Sequence, residues 1–144
     1  MTTVKYDQDI VAWANEQAAL LRAGRYELLD IEHIADEIED VGKSEQRELI
    51  SRMAVLLAHL LKWQHQPERR GRSWQLTISA QRGDIADALE ETPSLRAKLD
   101  EPAWWLKVWR KALGIAAAET GLGDFPAVCP WTLAEIMTEG WLPA

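Results

Sequence analysis

Between Ser44 and Gln66 the chain carries two apolar stripes side by side at helical spacing. Leu49, Met53, Leu56, Leu60 and Trp63 make one; Ile50, Ala54, Leu57 and Leu61 make the other. Residues three and four apart share one face of a helix, and a helix that is apolar over so wide an arc has to be covered on most sides. Ser44 has the side chain of an N-cap. Pro67 sets the far end, because the residue before a proline is pushed out of the helical region. At 1.5 Å per residue, a helix over 44–66 would be a rod of roughly 33 Å. This rod dictates the expected architecture: an all-α, compact bundle of five to seven helices around a long central one, forming a single domain over residues 1–144.

The flanking segments read as further helices. Asp7 and Gly24 bracket a first helix as cap and left-handed stop. Within it Ile10, Trp13, Ala14, Leu20 and Leu21 recur with helical period, and the polar Gln17 falls in the same series. A second helix runs from Asp30 to Gly42, with Ile31, Ile34, Ile38 and Val41 on one stripe and Glu32, Asp36, Glu39 and Asp40 opposite. Trp74–Glu90 is a fourth helix, with Leu76, Ile78, Ile85 and Leu89 as its apolar set. Thr92-Pro93 restarts a short helix to Leu99, and Pro102 starts another that ends at Thr120-Gly121. The run GLGDFPAVCP is a loop by composition. A last short helix follows Pro130, with Thr132 and Glu135 spaced as a capping box. No segment alternates with a two-residue period, so no strand is expected.

Composition narrows the function classes. Net charge is −7 and the sequence pI is about 5.0, so a phosphate backbone is repelled unless basic residues are gathered locally. The one cysteine, Cys129, allows no internal disulfide, which together with the absence of a signal-like start predicts a cytoplasmic protein. No apolar run approaches the ~20 residues needed to cross a bilayer. Eight tryptophans are expected mostly in the core. Trp104 and Trp105 are adjacent and cannot share a helix face, so one of them is expected to meet another element or another subunit.

The run LLAHLLKWQHQPERRGRSW, Leu56 to Trp74, resembles the signature of an uncharacterised bacterial family catalogued as domain of unknown function 29. The resemblance extends to YDQDIVAWANEQAALLRAGRYELLD near the start and IADEIEDVGKSEQREL after it. It continues through TPSL, AAAETGL and FPAVCPWTL, in order, over nearly the whole chain. It implies an all-helical cytoplasmic protein, and it brings no activity, cofactor or catalytic residue to carry over.

Three constellations could carry chemistry. Arg52 and His59 stand two helical turns apart, a spacing that resembles the Arg-x4–6-His motif of helical toxin ribonucleases, where arginine stabilises phosphate charge and histidine moves a proton. The competing reading pairs Arg52 with Glu48 one turn away and half-buries His59 among leucines. His33 and Glu37 share a helix face and, with His59, are the candidates for a bundle metal site. A di-metal bundle uses the Asp-x-x-His spacing twice and it occurs once here, so no metal and no cofactor is expected. Lastly, Lys62, Arg69, Arg70 and Arg72, interleaved with Trp63 and Trp74, could bind nucleic acid by stacking. The negative net charge favours pairing with the acidic helix at 32–40, within the chain or between subunits. The resulting expectation is a non-enzymatic interaction or structural protein whose partner is another protein or a second copy, with no membrane role.

Overall fold

Asp9, not Asp7, opens α1 (Ile10–Arg22): its carboxylate accepts from the Ala12 amide and so satisfies an otherwise orphaned helix-start donor. Gly24 closes the helix as expected. It sits at φ +73°, and its amide donates to the Leu21 carbonyl while that of Arg25 reaches Leu20. The computed structural model describes residues 5–144, and no strand occurs among them. Five α-helices carry the chain, together with 3-10 segments at Tyr26–Leu28, Pro67–Arg69 and Pro93–Asp100. The described residues fall into two compact units, one ending at Glu45 and the other spanning Gln46–Ala144.

The sequence predicts two helices over 30–66, and the structure has one. α2 runs from Ile31 to His65 without a break, so Gly42 does not end a helix and Ser44 does not cap one. Gly42 has no positive φ. A glycine inside a helix costs only about 1 kcal/mol relative to alanine. The neighbouring Glu, Lys, Gln and Arg are good helix formers, and Lys43 lies 3.9 Å from Glu39 one turn away. A single glycine without a following proline is too weak a stop. The helix ends where Pro67 predicts.

Within the first unit a small polar cluster fixes α1 against the start of α2. Asp30 lies just before α2. Its amide donates to the Gln17 side-chain carbonyl at 2.8 Å, and its carboxylate accepts from the Trp13 indole at 3.0 Å. The His33 ring lies 2.7 Å from the same carboxylate and stacks on Tyr6 at 4.1 Å, with Trp13 edge-on to Tyr6. Trp13 and Gln17 are consequently the two buried side chains of α1. Gln17 fits its apolar series because it serves as a backbone acceptor. The α2 stripe forms, but most of it is bare: Ile34 is half-buried, while Ile31, Ile38 and Val41 are each about two-thirds exposed.

The second unit holds the core. Leu49, Met53, Ala54, Leu56, Leu57, Ala58, Leu60 and Leu61 of α2 are almost fully buried, so both predicted stripes are covered here. Burying one leucine completely contributes roughly 1.5–3 kcal/mol. α3 (Arg72–Glu91) brings Ile78, Ile85 and Leu89, while Leu76, read as part of its apolar set, is exposed. α4 (Pro102–Thr120) brings Trp104, Val108, Trp109, Ala112 and Ala116, and stops at Gly121 with φ +73°. α5 (Leu133–Met137) begins two residues later than the Trp131 start expected after Pro130, behind the complete Thr132–Glu135 capping box, and contributes Ile136. None of the eight tryptophans is exposed. Trp104 is buried, and Trp105 stands edge-on to it at 4.9 Å and donates its indole N–H to the Leu99 carbonyl, so the adjacent pair is resolved inside one unit.

Candidate functional site

Most members of the three constellations read from the sequence are engaged by neighbours. Arg52 is held by Glu48 at 2.7 Å and by Asp84 at 2.9 Å, which leaves no anion-seeking guanidinium face. The His59 ring nitrogen Nδ1 lies 2.9 Å from the Val55 carbonyl, and burial pushes the His59 pKa down, favouring the neutral ring. The structure therefore offers no support for the ribonuclease reading. His33 is tied to Asp30, and Glu37 accepts the Tyr6 phenol. Among the described residues no group of three or more His, Cys, Asp or Glu is placed to hold a metal ion.

Lys62 and Arg70 of the basic segment find partners within the second unit. Lys62 is buried, donates to Glu119 at 2.7 Å and lies 5.0 Å from the centre of the Trp74 ring. Arg70 lies 5.3 Å from the Trp63 ring centre and donates to the Trp63 carbonyl. Both tryptophans thus have their cationic neighbour already, a packing use of the ring face. Arg69 and Arg72 are exposed.

What the sequence reading missed is an open groove in the first unit. Ala14, Ala18 and Leu21 of α1 face Ile34, Ile38 and Val41 of α2 across a shallow apolar channel of about 260 Å³, with Trp13 and Gln17 at its floor and Glu37 on its wall. The Asp30 cluster fixes the two helices that make it. The Glu37 carboxylate is itself positioned by Tyr6, whose phenol pKa that hydrogen bond pushes up to about 12. The charge around this groove is one-sided. Residues 1–45 hold four Lys and Arg against eleven Asp and Glu, the whole of the net −7; residues 46–144 hold twelve of each.

The model of the family described as "Domain of unknown function DUF29" matches residues 5–142. The chain belongs to this family. No curated protein and no solved structure matches it. In this DUF29 domain no helix of the described residues is long and apolar enough to cross a membrane.

The DUF29 chain has a second concavity, of about 380 Å³, inside the second unit. Trp105, Trp109, Trp131, Leu106, Val128 and Cys129 are among its walls. Trp109 donates its indole N–H to the Pro126 carbonyl and is edge-on to Trp131. Burial pushes the Cys129 thiol pKa up, the opposite of what a thiolate nucleophile needs. This cavity has the chemistry of packing rather than of bond-making.

Proposed function

We propose that this protein is a non-enzymatic interaction module of the cytoplasm, and that its first unit receives a basic amphipathic helix from a partner protein. The observation that carries the reading is the bare seam between α1 and α2, where Ile38 and Val41 stand 68% and 67% exposed beside a fixed apolar groove. A helix laid in such a groove offers side chains at spacings of three, four and seven. The seven excess carboxylates of the first 45 residues select a cationic helix and speed its encounter. A second copy bringing the same surface would oppose like charge to like, so the charge favours a different chain over self-association. The family match runs across both units, which supports treating them as one domain. The lone cysteine, with its thiol held protonated by burial, suits a reducing compartment.

The test is fluorescence anisotropy with a labelled 18-residue helix of leucines and lysines, and with its leucine–glutamate counterpart as control. Saturable binding of the basic helix is expected, weakened at least tenfold by Ile38→Gln with Val41→Gln. Both side chains are exposed, so circular dichroism should be unchanged. Equal binding of the two helices, or indifference to the double variant, overturns the reading. A mass in sedimentation that rises with concentration and falls in the same variant would replace it with self-association.

A further inference from the structure

A cleft within the second unit has the opposite electrical character to the groove of the first. Arg47, Ile50 and Ser51 of α2 and Lys107, Arg110 and Lys111 of α4 line a concavity of about 410 Å³. Four of these six side chains are cationic, none is acidic, and among the described residues none of the four has a carboxylate partner. Other bases of the chain do find carboxylates: Arg25, Lys43, Arg52, Lys62 and Lys98 are all ion-paired. Lys111 instead donates to the Ser51 hydroxyl at 3.0 Å, a bond that links α4 to α2 across the cleft and leaves the Ser51 hydrogen free to turn outward. Converging unpaired cations repel one another and are relieved by a shared anion. Arginine adds the planar donor fork that suits phosphoryl oxygens.

We propose that this cleft binds a small phosphate-bearing molecule with at least two phosphoryl groups. Two phosphoryl groups can engage cations from both helices at once, Arg47 on one side and Lys107, Arg110 and Lys111 on the other. The cleft has the volume of an ordinary small-ligand site, and half-buried Ile50, with the alkyl stems of the basic residues, offers an apolar floor for the rest of the ligand. A nucleic-acid strand would instead need a charged track continuing beyond one cleft, in a chain whose net charge is −7.

Isothermal titration calorimetry of the full chain with inorganic pyrophosphate at 50 mM NaCl tests the proposal. One site is expected, weakened severalfold at 200 mM NaCl and binding orthophosphate at least tenfold more weakly. Arg47→Gln with Arg110→Gln should lower the pyrophosphate affinity at least tenfold. Arg96→Gln, an exposed arginine outside the cleft, should not. No saturable binding at millimolar pyrophosphate overturns the proposal, as does binding that the cleft variant leaves intact. A ten-nucleotide single-stranded RNA that displaces pyrophosphate and binds with a steeper salt dependence overturns it in favour of a nucleic-acid surface.

Discussion

Arg82 is buried in α3 and donates from Nε to the Ile136 carbonyl at 2.7 Å, while its Nη2 donates to the Trp141 carbonyl at the same distance. One guanidinium thus fastens α5 and the C-terminal segment to α3. Hydrogen bonds from a charged donor are worth about 1.5–3 kcal/mol each, and removing the donor leaves buried carbonyls unpaired. Arg82→Met is expected to cost about 2–4 kcal/mol of unfolding free energy, read as a lower urea midpoint with unchanged m-value. Arg82→Lys should recover little of the loss, since an ammonium cannot reproduce the two-pronged geometry.

Leu57 and Leu76 are separated by their surroundings rather than their chemistry. Leu57→Ala removes a fully buried side chain of α2 and should cost about 2–5 kcal/mol. Leu76→Ala, on the exposed side of α3, should stay within about 0.5 kcal/mol of the parent. Equal effects in urea unfolding would contradict the core assignment.

The hydrogen bond between His33 and Asp30 raises the histidine pKa above 6.5 and lowers that of the aspartate below 3.8. The histidine's contribution is complete below pH 6.5 and is lost as the pH climbs through its raised value. The aspartate's is complete above pH 3.8 and is lost as the pH falls through its lowered one. The first unit is therefore held best between these two values, and His33→Gln should flatten the alkaline side of the stability profile. Imidazole resonances followed by NMR should show His33 titrating above 6.5 and His59 below it.

A methyl group added at Gly42 would meet nothing within 4 Å, and the residue is already helical. Gly42→Ala should stabilise α2 by about 0.5–1 kcal/mol, chiefly by restricting the unfolded chain. Slower hydrogen exchange at amides 41–48, where every side chain is exposed, is the measurement that checks it.

Periodicity made the second unit readable: the leucine stripes of 49–61, the Pro67 stop, the Gly121 terminus and the Thr132 capping box all express local rules the chain obeys. Burial was less legible. Ile31, Ile38 and Val41 have the spacing of a packed face, but spacing says only that residues share a side, not that anything lies against it. Arg82 falls in register with Ile78, Ile85 and Leu89, a hint that a charged side chain shares the inner face, yet its carbonyl partners are more than fifty residues away in sequence. Local pattern does not reach that far. For the same reason the acidic run at 32–40 did not foretell a groove, nor Arg47 a cleft shared with α4.

Because residues 46–144 balance their charges, the mutual repulsion that keeps two molecules of this protein apart originates in the first 45. The acidic hairpin is then also the colloidal stabiliser of a tryptophan-rich companion. As the pH nears the isoelectric value of about 5.0 that repulsion vanishes, and the protein should be most prone to precipitate there, although the His33–Asp30 pair is then at full strength.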